Sequence, residues 1–130
     1  IRSLTRKTMT NPFTDQAQFM SACEQVVSKH NGDQYRLYLK LIQEEVNELT
    51  DAVLAQDKVE QLDALIDILV VTIGALHSLG VDAEGAWNEV MRTNFAKIDA
   101  VTGKVLKRGD GKILKPQGWQ PPSLEQYILD

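Results

Sequence analysis

The sequence predicts an all-α fold: an antiparallel four-helix bundle followed by a short basic hairpin or loop arm. Three observations predict it. Apolar residues recur at helical spacing through four successive stretches between residues 15 and 100. The breaks between those stretches are short, which makes consecutive helices antiparallel neighbours. From Thr102 onward the pattern changes to short apolar and basic runs around Asp110-Gly111, the signal of a tight turn.

Helix one is expected over residues 15–30, after Asn11-Pro12-Phe13-Thr14. Thr14 serves as its N-cap, and Phe19, Met20, Cys23, Val26 and Val27 form its apolar stripe. Asn31-Gly32-Asp33 breaks the pattern. Helix two covers residues 34–55, and Gln56-Asp57 turns the chain. Helix three covers residues 58–79 and stops at Gly80, a fitting residue for the left-handed position after a helix. Asp82 then caps helix four, residues 83–100, with Trp87, Val90, Met91 and Phe95 as its stripe. Trp87 is expected in the core. Residues 104–115 form the hairpin, and Pro116, Gly118, Pro121 and Pro122 force an extended path around Trp119. A short last helix is expected within residues 123–129. The basic, aperiodic residues 1–8 read as a leader, with Met9 as the natural start and residues 9–130 as a single domain.

Helices two and three carry two clusters of carboxylates. At about 100° per residue, Glu44 and Glu48 lie about 40° apart. Glu45 and Glu48 fall on the apolar side beside Leu37 and Leu41, with Glu44 at its boundary. On helix three, Glu60, Asp63 and Asp67 fall within about 60° of one another. Two such helices packed antiparallel aim five or six carboxylates into one pocket. A glutamate-rich face is ordinarily a solvated face. Here the carboxylates occupy positions meant for apolar residues, and no Lys or Arg lies between Lys40 and Lys58 to pair with them. Buried unpaired carboxylates are costly, and a hard divalent cation is the natural compensation.

The 130 residues suffice for one domain with a core. No apolar run is expected to reach the roughly 18 residues of a membrane span. One cysteine, Cys23, leaves no internal disulfide framework and points to a reducing cytoplasm; it is expected to be a small buried or half-buried side chain. His30 and His77 are too few and too scattered for a zinc site. The net charge of −4 is unevenly spread: residues 97–115 hold six basic and two acidic side chains. An acidic body with a basic arm is not a general nucleic-acid surface and suits a small ligand that carries metal ions and phosphates. Helix three is apolar around most of its circumference. It is therefore expected in the interface of a homodimer or a dimer of dimers.

The Glu-Glu-x-x-Glu of Glu44, Glu45 and Glu48, followed by Glu60-x-x-Asp63, resembles the signature of the all-α nucleoside triphosphate pyrophosphohydrolases, the MazG-like proteins. Arg92-Thr93-Asn94-Phe95-Ala96-Lys97 and Leu114-Lys115-Pro116-Gln117-Gly118-Trp119 resemble the phosphoribosyl-ATP pyrophosphohydrolase-like branch. The resemblance covers residues 35–124. One departure stands out. Aligned by motif, Glu60 and Asp63 are the second metal pair; aligned by distance to Gly80, Asp67 takes the aspartate position and Ala64 stands where the glutamate belongs.

The resemblance implies hydrolysis of a nucleoside triphosphate to the monophosphate and pyrophosphate, clearing the nucleotide pool. Mg²⁺ is the implied cofactor, with Mn²⁺ as its substitute, held among Glu44, Glu45, Glu48, Glu60, Asp63 and Asp67. Glu45 or Glu48 would take the proton of the attacking water. Arg92, Lys97, Lys107, Lys112 and Lys115 would hold phosphates, Asn94 would read ribose or base, and Trp119 would stack on a base or close the pocket. Phosphoribosyl-ATP is the alternative substrate. Outside this class, a carboxylate-bridged redox bundle wants Glu-x-x-His pairs, which neither histidine provides. A non-enzymatic helical dimer explains the apolar third helix but not the carboxylates on its inner side.

Overall fold

A computed structural model describes residues 11–130. The leader assigned to residues 1–8 and the start at Met9 lie outside the described residues. The chain is all-α as expected. The described helices are α1 (Pro12–Ala22), α2 (Gly32–Leu54), α3 (Lys58–Leu79) and α4 (Ala83–Phe95), with a 3₁₀ turn at Glu125–Tyr127. Two compact units result. The first runs to Ala83 and takes in Leu129–Asp130; the second is Glu84–Ile128.

In the first unit α3 packs back along α2, and α1 packs on α3. Local chemistry sets the ends of the long pair. The Asn31 side chain accepts the Gln34 N–H at 3.1 Å, and that of Asp57 accepts the Glu60 N–H at 3.0 Å. Each satisfies one of the donors that a helix start leaves open. Asn31 thus starts α2 at Gly32 rather than merely interrupting the chain. At the far end of α3, Gly80 adopts φ 83°, a conformation that costs glycine least. Met20, Tyr38 and Ala75 form the buried core, with Val27, Tyr35, Leu41, Ile42 and Val71 packed against it. α3 approaches α2 closely because Gly74 faces the Tyr38 ring: a Cβ at Gly74 would sit 2.2 Å from it.

Helix α1 differs from the expectation at both ends. Asn11, not Thr14, is its N-cap, accepting the Thr14 N–H at 2.8 Å. The helix stops at Ala22 instead of residue 30. Beyond it, Glu24 and Ser28 take left-handed φ values of 60° and 56°. The Gln34 side chain holds Val26 by its N–H at 3.1 Å and its carbonyl at 2.8 Å. These bonds from the next helix override the apolar periodicity. Cys23 is exposed, not buried. The strand-like end of the chain returns to this unit, where the Leu129 N–H donates to the Gly80 carbonyl at 2.8 Å.

In the second unit α4 ends at Phe95 rather than residue 100. The Lys97 and Ile98 N–H groups close onto the Asn94 and Phe95 carbonyls. Single antiparallel bridges at Ile98–Val105 and Lys107–Ile113 form the expected hairpin arm. The predicted last helix is only the 3₁₀ turn. Trp87 is 56% exposed rather than in the core.

The outer side of α3 is the largest departure in burial. Leu62 is 62%, Ile66 50% and Leu69 58% exposed. Contrary to the sequence expectation, α3 is long and apolar enough to cross a bilayer by length and composition, with mean hydropathy 1.8 over its most apolar window. One third of that window is buried within the chain. Thr72 interrupts the apolar run, but one hydroxyl hardly lowers the average over about five turns of helix.

Candidate functional site

The carboxylate site grows from the close packing of α2 on α3. Ala52 and Ala64 are buried, and their small side chains let the two helices approach where the acids lie. Glu45 is half-buried on α2, and Asp67 half-buried on α3; Glu48 and Asp63 are exposed at the rim. Burial first, then a hydrogen bond to Glu48 and the charges of Glu48, Asp67 and Asp63, raise the Glu45 carboxyl above its ordinary 4.5. Burial, followed by the charges of Asp63 and Glu48, likewise raises Asp67. Four carboxyl groups from two helices therefore act on one another, and their field is negative.

The six carboxylates expected at the site are not equivalent. Glu45, Glu48, Asp63 and Asp67 form this interacting group. Glu60 sits one step away, lining an open cleft with Glu48, Asp51, Ala52, Ala55 and Asp57. Glu44 is exposed and is not among the groups that perturb Glu45 or Asp67. Asp63 and Asp67 both act on Glu45, whereas Glu60 is not among the groups that do.

A cation fits the chemistry of this set. Glu45 Oε2 is buried and has no hydrogen-bond partner. An oxygen in that position costs stability unless something positive meets it. Among the described residues, no lysine or arginine forms an ion pair with these acids. Nor do three of them already stand in ligating positions. Side-chain rotation is needed to gather them.

The second unit carries the expected phosphate-binding residues. Arg92 gives Nε to Glu89 Oε1 at 2.8 Å and Nη2 to Oε2 at 3.0 Å. Glu89 also accepts the Ser123 N–H at 2.7 Å. These contacts, the Arg92 hydrogen bond foremost, lower the Glu89 carboxyl to about 2. Sequence reading missed Glu89, although its spacing three residues before Arg92 is that of a helical ion pair. Asn94 is half-buried and accepts from Lys97 Nζ at 3.2 Å. Trp119 donates its indole N–H to the Thr93 carbonyl at 2.7 Å. Lys107 and Lys112 are exposed on the hairpin arm.

With this geometry in place, comparison with known proteins adds one match and one absence. The family model for phosphoribosyl-ATP pyrophosphohydrolase matches residues 8–94. No curated protein matches the chain.

Proposed function

The chain belongs to the phosphoribosyl-ATP pyrophosphohydrolase family, and from that premise we propose that it hydrolyses the α–β phosphoanhydride of a nucleotide, releasing pyrophosphate. Phosphoribosyl-ATP is the first candidate substrate, because the family match favours this reading over general clearance of nucleoside triphosphates. A plain (deoxy)nucleoside triphosphate is the second. It is favoured by the basic segment after residue 94, which lies outside the match.

The observation that carries the proposal is the buried, unpartnered Glu45 Oε2 within a group of four carboxyls. Glu45, Glu48, Asp63 and Asp67 would hold Mg²⁺ or Mn²⁺, with Glu60 at the cleft edge and Glu44 outside. When bound, such an ion polarises phosphoryl oxygens and acidifies a water. The protein's own task is then positioning and charge compensation. Glu48 is among the groups that raise the Glu45 carboxyl, so a proton taken from water by Glu45 has a neighbouring carboxylate that stabilises it. Lys97 and Lys115 bind phosphate oxygens, with Lys107 and Lys112 as further cations nearby in sequence. Arg92 would have to exchange Glu89 for a phosphate to do the same. Lys97 donates to Asn94 Oδ1 and Asn94 Nδ2 donates to Met91 Sδ at 3.6 Å, which leaves its second amide hydrogen to read ribose or base.

The acting form is a homodimer or a dimer of dimers, with the exposed side of α3 covered by a second copy. The free, exposed Cys23 suits a reducing compartment, and we assign the cytoplasm.

The test is a panel of phosphoribosyl-ATP and the common nucleoside triphosphates with Mg²⁺, scored for pyrophosphate against orthophosphate. Pyrophosphate release that Asp67→Asn abolishes is the expected result. Orthophosphate as the product, or an Asp67→Asn variant with full activity, would overturn the reading.

A further inference from the structure

Helix α4 buries a polar face. Apart from Ala83 at its start, its buried residues are Glu89 and Thr93, 9% and 2% exposed. Four residues apart on a helix, they lie one turn from each other on one side. Apolar side chains packed there would leave both unsatisfied. The segment from Trp119 to Ser123 meets them instead. The Ser123 N–H donates to Glu89 Oε2 at 2.7 Å, and the Trp119 indole N–H to the Thr93 carbonyl at 2.7 Å. Residue 123 thus pairs with 89 and residue 119 with 93, so this strap runs antiparallel to α4. Pro121 and Pro122 stiffen the span between the two anchors.

Glu89 is the anchor that costs stability unless it is fully met, because a buried charge is tolerated only when paired and hydrogen-bonded. Arg92 meets both oxygens, Nε at 2.8 Å and Nη2 at 3.0 Å, and Ser123 supplies the third bond. A leucine at this position would hold a strap without that demand. What an apolar contact lacks is register. It tolerates sliding, whereas a carboxylate forked by Arg92 presents its oxygen to one N–H at one place.

Register matters at Thr93. In a continuing α-helix its carbonyl would accept the Lys97 N–H. Here the carbonyl receives the indole N–H, and the Lys97 N–H turns to the Asn94 carbonyl at 3.1 Å. The Ile98 N–H follows, onto the Phe95 carbonyl at 3.0 Å, and α4 ends at Phe95. Asn94 is thereby held, half-buried, in the tightened last turn. Its side chain lies between Lys97 Nζ at 3.2 Å and Met91 Sδ at 3.6 Å.

We propose that Glu89 is a positioning residue for substrate recognition: it sets the register of the 119–123 strap, Trp119 then ends α4, and Asn94 is held in one orientation. Arg92 completes the anchor. The role of Asn94 toward ribose or base rests on the nucleotide reading above; the anchoring of the strap does not.

The sequence has two tryptophans, so the full chain with Trp87→Phe has Trp119 as its only indole emitter and serves as the reference. Glu89→Gln removes the charge and one acceptor oxygen. Ser123→Pro removes the opposite partner, the N–H, and leaves Glu89 with Arg92. Acrylamide quenching of Trp119 reads the anchoring without substrate. Both variants should keep the helix content by circular dichroism and make Trp119 more accessible to acrylamide. With Mg²⁺ and the nucleotide panel, both should raise KM for the best substrate about tenfold, with kcat changed less than about twofold. Both should also narrow the KM spread between nucleotides, as Asn94→Ala should. Glu84→Gln, at an exposed acid of the same helix, should change none of these.

Quenching unchanged in both variants would overturn the anchor. A loosened Trp119 with KM and nucleotide preference unchanged, or with a fall confined to kcat, would overturn the positioning role and leave the hydrolase reading standing. If the reference chain turns over no nucleotide, the same comparison is made on dissociation constants for α,β-methylene-ATP, which has no cleavable α–β bridge. Binding that both variants weaken would then sink the hydrolase reading alone. A reference chain that neither binds nor turns over nucleotide would sink both.

Discussion

Glu45 and Glu89 are the same residue type with opposite fates. Glu45 is pressed among other acids and holds its proton more tightly than usual. Glu89 is gripped by Arg92 and Ser123 and gives up its proton at about 2. The consequences for stability have opposite signs. A carboxyl whose value is raised on folding destabilises the folded chain when ionised, and that penalty fades as pH falls toward the ordinary value. Glu45 and Asp67 therefore make the metal-free protein more stable on going from pH 7 toward their ordinary 4.5 and 3.8. Glu89 contributes stability above its ordinary 4.5 that is lost as pH falls toward about 2. Thermal melts in EDTA should thus rise from pH 7 to about 5 and fall again below about 4. Millimolar Mg²⁺ should raise the melting temperature at pH 7 and flatten the acid gain. Glu45→Gln should raise the metal-free melting temperature at pH 7 and remove the response to Mg²⁺. A melting temperature that declines steadily from pH 7 to 5 in EDTA would refute this account of the cluster.

At the scale of elements, the contact of α2 with α3 depends on a glycine. Gly74 is buried, and its missing Cβ is the room in which the Tyr38 ring lies. The Tyr38 hydroxyl donates to Gln25 Oε1, so the same ring ties the loop after α1 to the helix pair. Gly74→Ala should overpack this seam and cost about 1–3 kcal/mol in denaturant unfolding. Tyr38→Leu in the same chain should recover part of that loss, because the two residues touch and their effects do not add. Additive losses in the double variant would show that the ring and the glycine do not share a seam. Helix boundaries were legible where a turn or a terminal glycine stands beside a periodic stretch, as at Gln56-Asp57 and Gly80. The end of α1 was not legible, because what stops it is the Gln34 side chain, eight residues beyond Val26.

At the scale of the whole molecule, α3 is the outlier. Val59, Leu62, Ile66 and Leu69 follow one another at helical spacing, and each is at least half exposed. Farther along the same stripe Ile73 and His77 are buried, His77 with its ring nitrogen Nε2 2.8 Å from the Phe13 carbonyl on α1. The chain itself covers one end of the stripe and leaves the other bare, and bare apolar stripes of this kind mark interaction surfaces. A second copy supplies an equally apolar α3. Light scattering after size exclusion should give at least twice the 14.6 kDa of one chain. Ile66→Lys should shift it toward a single mass while leaving helix content unchanged. A monomer at micromolar concentration in the unmodified protein would refute the dimer.

The sequence by itself determined the all-α class and the span of α3. Each is written in local pattern: apolar spacing, the turn at Gln56-Asp57 and a terminal glycine. Only the tertiary structure brings out which acids act on Glu45 and Asp67. Glu60, Asp63 and Asp67 share one helical face, so their angular positions do not rank them. The packing of α2 on α3 does, because it sets the depth and distance at which Glu45 and Glu48 meet them. The same holds for the cations. Arg92, Lys97 and Lys115 look alike as positive residues in a basic stretch. Folding closes the neighbouring Glu89 on the first and the Trp119 indole against the other two, and for Lys97 that contact exists only because segments distant in sequence meet.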